Sequence, residues 1–173
     1  MKEVPPYKNY PVSEEEMGKR YKNWTESLGI QMAMMYRVGK EVGGEAFVEK
    51  LKEAYRQFGK SLVPLLMKQS GTKPEDFKDC IGLGKLIDTI DDSLANFWDG
   101  YEENSAKAFE KKILTCPLAD AWSSEPDLCA VMIHEMFGGV LEELNPKFKS
   151  DGFKKLLVRG DNCCHYRMEL EED

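Results

Sequence analysis

The chain has no long apolar run. Its uninterrupted hydrophobic stretches are a few residues each, far short of the ~20 residues that a membrane-spanning helix needs. A helical membrane protein is thereby excluded, and no membrane partner is expected. Residues 1–10 hold two prolines and two lysines but no apolar segment, so they read as neither a signal peptide nor an anchor, and a cytoplasmic location is the expectation. Positive charge is also in short supply. Lys and Arg number 24 against 31 Asp and Glu, a net charge of −7, which is the wrong sign for a nucleic-acid-binding protein. No segment of low complexity and no fixed-period repeat is present, which excludes solenoids and propellers. Histidine occurs only at His134 and His165.

What remains is an ordinary globular composition. At 173 residues the length suits a single domain spanning 1–173, large enough to bury a core without disulfide staples. Residues 1–12 read as an extended arm, 13–94 as a helical part, and 97–173 as a sheet-containing part.

The helical part has clear punctuation. Ser13 followed by Glu14, Glu15 and Glu16 is a capping-box start. Trp24, Leu28, Met35, Val38 and Val42 then recur at helical spacing, widened by Met32 and Tyr36, until Gly43-Gly44 ends the run. A second helix places Phe47, Leu51, Ala54, Phe58, Leu62 and Leu65 on one face. Pro64 is expected to kink it and Gly71 to stop it. Pro74 opens a third segment carried to about residue 94 by Leu83, Ile87, Ile90 and Leu94.

From Phe97 the character changes. Trp98, Tyr101, Phe109 and Ile113 lie on either side of Glu103-Asn104-Ser105, which predicts two antiparallel strands around a turn. A short helix from Pro117 and a longer one from about Asp127 to Leu144 follow. Phe153 to Val158 and Cys163 to Leu170 flank Arg159-Gly160-Asp161-Asn162 and read as a second hairpin. The predicted class is α+β, with a helical N-terminal half and a mainly antiparallel sheet of about four strands in the C-terminal half, with interposed helices.

Five cysteines in a cytoplasmic protein suggest reduced thiols, ligands or nucleophiles rather than disulfides. Cys116 stands at a strand end in Thr115-Cys116-Pro117. Cys129 lies in a first helical turn, where the helix dipole favours the thiolate. In the last strand Cys164 shares the apolar side with Tyr166, Met168 and Leu170, so it faces inward and Cys163 outward. No Cys-x-x-Cys pair occurs, and spacing alone does not specify a metal site. Cys80 stands alone.

The stretch from Ile113 to Leu170 resembles the C-terminal half of the L-2-amino-thiazoline-4-carboxylic acid hydrolase-like family, itself distantly similar to 4-vinyl reductase small-molecule-binding domains. The resemblance rests on Thr115-Cys116-Pro117, Leu128-Cys129, Asn145-Pro146, and Arg159-Gly160-Asp161 followed by Cys164-His165-Tyr166-Arg167. One departure is that His134 and Glu135 stand where the family has an Asp beyond the second cysteine. The resemblance implies a hydrolase opening a small cyclic amidine or heterocyclic carboxylate. Cys116 or Cys129 would be the nucleophile and His134 or Glu135 the proton carrier. Arg159, Arg167 and Tyr166 would hold the substrate, the arginines by a bidentate grip on its carboxylate. His134 follows Cys129 by five residues, about 140° away around an α-helix, so the two make a poor dyad.

The alternative is a small-molecule sensor or binding module. In it Cys116, Cys129 and Cys164, with Cys80 as fourth ligand, hold zinc or an iron–sulfur cluster. A small-molecule ligand and a homo-oligomer are the expected partners in either case. Lesser signals are discounted. Gly82-Leu83-Gly84-Lys85 lacks a third glycine and a preceding strand. His134-Glu135 has Gly138 where a zinc-protease helix has its second histidine. Met32, Met34 and Met35 read as core. Asp88, Asp91 and Asp92 read as an exposed acidic face.

Overall fold

A computed structural model describes residues 13–94 and 96–171. The extended arm expected over 1–12 lies outside the described residues. Ser13 caps helix α1 (Glu14–Ser70) by accepting a hydrogen bond from the Glu16 amide at 3.2 Å. The break expected at Gly43-Gly44 is a sharp bend at Gly44, whose φ of 55° and ψ of −148° leave the helical region. The helix then runs on through Pro64 and ends at Gly71, which takes the left-handed conformation that glycine adopts without penalty.

Beyond α1 the third predicted helix divides in two. Pro74–Lys78 form a 3₁₀ turn, and Asp79 then caps α2 (Cys80–Ser93) through the Ile81 amide. Strands β1 (Phe97–Asn104) and β2 (Ala108–Thr115) form the first hairpin as expected. A short helix α3 (Ala119–Trp122) follows. The long helix expected over 127–144 is instead a π-helical turn, Cys129–His134, that runs into α4 (Glu135–Leu144). Strand β3 (Phe148–Lys155) starts earlier than the apolar pattern implied, and pairs antiparallel with β4 (Cys164–Leu170). The sheet has four strands in the order β1-β2-β4-β3, all neighbours antiparallel. The α+β class is thus as read.

The α2 stripe of Leu83, Ile87 and Ile90 is buried as read, and Phe47, Leu51 and Leu62 pack against the core, but the first stripe of α1 is not the face that packs. On α1 the buried residues are Thr25, Gly29, Ala33, Tyr36, Val48, Gly59, Val63 and Leu66, whereas Trp24, Met35, Val38 and Val42 are exposed. The first arm of α1 approaches α3 closely at Gly29, where a Cβ would lie 2.8 Å from that of Ala121, and the second arm approaches α4 more closely still. A Cβ placed on Gly59 would lie 2.0 Å from the Met136 carbonyl oxygen, and one on Gly139 would lie 1.9 Å from that of Arg56. Two glycines therefore let α1 and α4 touch backbone to backbone. Arg56 reinforces the crossing, its Nε donating to Glu135 at 2.8 Å and its other nitrogens reaching Glu135 and Glu142.

The inner face of the sheet carries Phe109 and Ile113 of β2 beside Cys164, Tyr166 and Met168 of β4, all buried against α2, the π-helical turn and α4. The outer face is charged. Arg167 contacts Glu103, Glu110 and Glu169, and Lys154 donates to Glu110 at 2.9 Å. Among the described residues no helix is long and apolar enough to cross a membrane.

Candidate functional site

The inner face of the sheet encloses a cavity of about 50 Å³ between β2, β4, α3 and α4. Cys116, Cys129 and Cys164 all line it. Each arrives by its own local rule. Cys116 follows the last residue of β2. Cys164 opens β4 on the inward phase opposite Ile113. Cys129 begins the π-helical turn, which lines the cavity with Cys129 and Ile133 and hands over to Phe137 of α4. π-Turns re-aim side chains in this way and recur at functional sites. Leu118, Trp122, Phe153 and Leu156 complete an apolar wall.

One edge of the cavity is polar. Asp91, near the end of α2, is 1% exposed. Its Oδ1 accepts from Asn96 Nδ2 at 3.0 Å, and its Oδ2 accepts from Lys111 Nζ at 2.6 Å and from the Tyr166 hydroxyl at 3.1 Å. Lys111 is wholly buried, donates also to Asp88 at 2.7 Å, and sits 3.7 Å from the centroid of the Trp98 ring. Tyr101 donates to Asp88 in turn. Of the acidic residues expected on an exposed face, Asp92 is exposed, whereas Asp88 and Asp91 belong to a buried ion-pair cluster with Lys111. Its signal in the sequence was Lys111 itself, at the same strand phase as Phe109 and Ile113. Asn96 is pinned through Nδ2 because a carboxylate only accepts, and its Oδ1 is buried without a partner. Trp122 Nε1 is also buried and unpartnered, but it faces α1 at Gly29.

Burial sets the thiol chemistry. Desolvation pushes the Cys164 thiol up to about 11, raises Cys116, and raises Cys129 further, with Cys164 and Cys116 adding to the effect on Cys129. At Cys129 this reverses the thiolate expected from the helix dipole, because the apolar wall outweighs one helix end. Amide donors act the other way on Cys164 (Leu157) and Cys116 (Leu118 and Ala119), and the burial effect exceeds them. Cys116 alone is only half-buried. It and Pro117 also border an open groove of about 400 Å³ beside Tyr21, Lys22 and Glu26 of α1, so Cys116 stands at the cavity mouth.

The other sequence candidates lie elsewhere. The Cys80 thiol is fully buried and donates to the Lys107 carbonyl at 3.2 Å, outside the cavity, with its pKa pushed up to about 11 mainly by burial. Cys163 is buried but does not line the cavity. His134 stacks edge-on against Phe153, at 6.4 Å between centroids. Glu135 is held by Arg56. Arg159 approaches Asp127 at 3.8 Å, and Arg167 is on the outer face of the sheet, so of the three substrate-holding candidates only Tyr166 lines the cavity. Zinc or an iron–sulfur cluster would need the thiols gathered to ligand distance. Among the described residues no group of three or more His, Cys, Asp or Glu side chains is so placed, and Cys80 points away. The donor set does not fit a closed metal centre.

Together these features define an α+β fold whose helices cover one face of a four-stranded antiparallel sheet and enclose a small, thiol-lined cavity. A solved structure with a similar fold is trafficking protein particle complex subunit 3 from Naegleria fowleri, covalently bound to palmitic acid. It aligns with a TM-score of 0.65 at 16% identity, over 87% of this chain and 97% of that one. At that identity the likeness is one of fold. No protein-family profile matches the chain, and no curated protein does.

Proposed function

We propose that this protein is a small-molecule-binding module whose ligand occupies the thiol-lined cavity and enters past Cys116. The observation that carries the reading is the cavity's make-up: an apolar wall with one fixed polar edge, Asp91-Tyr166-Asn96. The pinned Asn96 Oδ1 asks for an N–H or O–H donor. The ligand is accordingly compact, largely apolar, and carries one such donor. A cavity of about 50 Å³ is smaller than the roughly 150 Å³ that admits a benzene ring. A ring-sized ligand therefore displaces side chains at the mouth. The covalent palmitate of the trafficking subunit supports ligand capture on this fold, and the five free thiols support a reducing, cytoplasmic setting.

The test is native mass spectrometry of the purified chain, followed by thermal-shift titration with small planar amides, amidines and short fatty acids. A co-purified or titrated ligand whose stabilisation falls at least tenfold in affinity in Asn96→Ala supports the reading. No ligand from either route, or one indifferent to Asn96→Ala and Cys116→Ser alike, overturns it.

A second reading keeps the ring-opening hydrolase suggested by the resemblance. Its support is a carboxylate and a hydroxyl, Asp91 and Tyr166, lining the same cavity as Cys116 and Cys164. Water would add at the amidine carbon, and a ring bond to that carbon would break with a proton passing to the leaving atom. Incubation with 2-amino-thiazoline-4-carboxylate, read by a product heavier by one water, decides it: turnover lost in Cys116→Ser supports the hydrolase, and no product refutes it.

A further inference from the structure

The first arm of α1 carries an apolar seam that the fold leaves uncovered. Met17, Tyr21, Trp24, Leu28, Met35, Val38 and Val42 are between 37% and 86% exposed. With Gln31, also exposed, they alternate by four and three residues without a break from 17 to 42. That is the a/d pattern of a coiled-coil seam over about 38 Å of helix. The face that meets the rest of the domain is Thr25, Gly29, Ala33 and Tyr36, centred roughly 120° around the helix from the centre of the seam, with Tyr21 at the seam's near edge beside the Cys116 groove. Single exposed apolar residues are ordinary, but an aligned stripe of this length is not.

We propose that this seam pairs with the same seam of a second copy, the two helices running antiparallel. Three observations point to that occupant. The exposed parts of the seven apolar residues amount to roughly 700 Å² per chain, so a pair would bury at most about 1,400 Å², which reaches the range of stable interfaces. The antiparallel register sets large against smaller: Tyr21 opposite Val38, Trp24 opposite Met35, Met17 opposite Val42, Leu28 opposite Gln31. A parallel pair would stack Trp24 on Trp24 and Tyr21 on Tyr21 at one end and leave valines facing each other at the other. Arg20 and Glu41 flank the seam on the side away from the domain, and the antiparallel arrangement brings each near the opposite charge of the other copy, where a parallel one does not. Gln31, the one polar seam residue, limits slippage of the register.

Light scattering and sedimentation of the full chain over about 1 to 100 µM test the proposal, with the dimer expected to dissociate on dilution. Trp24→Glu and Met35→Glu place a charge at positions exposed in the single chain. They are expected to raise the dimer Kd roughly a hundredfold or more while leaving circular dichroism and thermal unfolding of the monomer unchanged. Arg20→Glu and Glu41→Arg should each weaken the dimer and together restore it. Met17→Cys should cross-link to Val42→Cys and not to itself. A chain that is monomeric throughout, a dimer indifferent to Trp24→Glu and Met35→Glu, or cross-linking of Met17→Cys to itself would overturn it.

Discussion

Replacing Lys111 by methionine tests the buried cluster most directly. The ammonium group lies 2.6 Å from Asp91 Oδ2 and 2.7 Å from Asp88 Oδ1, and neither Lys111 nor Asp91 has more than 1% of its surface in solvent. At an effective dielectric of about 20 each contact is worth about 6 kcal/mol gross, most of it offset by the cost of burying the charges. Methionine keeps the unbranched apolar stem, one atom shorter, and removes the charge, leaving Asp91 buried with only Asn96 and Tyr166 as donors. Breaking one side of a buried pair typically costs 3–5 kcal/mol. For a chain of this size about 4 kcal/mol lowers the Tm by roughly 8–16 °C. Urea unfolding of wild type, Lys111→Met and Lys111→Met with Asp91→Asn provides the measurement. The double variant removes the buried Asp91 charge and leaves only Asp88, which is partly exposed and keeps the Tyr101 hydroxyl as a donor, so it should recover at least half of the loss. A single variant within about 1 kcal/mol of wild type, or a double variant no better than the single, would mean that the cluster is not a closed electrostatic unit.

Four further outcomes follow from the geometry. Gly59→Ala and Gly139→Ala should each cost about 2–4 kcal/mol in denaturant unfolding, because the new methyl meets a backbone carbonyl near 2 Å; a neutral result would mean that α1 and α4 do not cross so closely. Iodoacetamide at neutral pH should label Cys116 slowly and Cys80, Cys129 and Cys164 hardly at all, as peptide mapping would record. The folded Cys164 thiol lies above its ordinary value of 9.0, at about 11, so the stability linked to it is complete below pH 9 and lost as pH climbs toward 11. Glu110 behaves oppositely. Lys154 first, with Arg167 and His165, holds its carboxyl down to about 2 from 4.5. Its contribution is complete above pH 4.5 and lost as pH falls toward 2, about 1–2 kcal/mol after solvent screening, and Glu110→Gln should flatten the acid limb of the stability curve by that amount.

Local chemistry was readable along the chain wherever a residue acts on its immediate neighbours. The Ser13 cap, the stop at Gly71, the first hairpin (its turn at Ser105-Ala106-Lys107, just beyond the Glu103-Asn104-Ser105 break) and the inward phase of Cys164 all follow from hydrogen bonding or alternation within a few residues. The convergence of Cys116, Cys129 and Cys164 on one cavity was likewise anticipated from their places in the elements. What failed were inferences that depend on who packs against whom. The α1 stripes ranked residues by hydrophobicity, yet helix contact here is chosen by glycines, which carry no hydrophobic signal and permit approach that no larger residue allows.

The same distinction holds for charge. Asp88 and Asp91 on α2 and Lys111 on β2 are ordinary surface residues when read singly, and only the register that sets Lys111 opposite Tyr166 on the inner face makes them a buried cluster. The thiols follow the same rule: the helix dipole is a property of one element, while the desolvation that raises Cys129 belongs to the whole cavity. The sequence by itself determined the fold class, the strand phases and most of the elements, because those follow from short-range periodicity and capping, though not the π-helical turn or the early start of β3. The tertiary structure alone decided which faces are buried, which thiols share a cavity wall and which charges are paired, because burial and ion pairing arise between residues far apart in the chain.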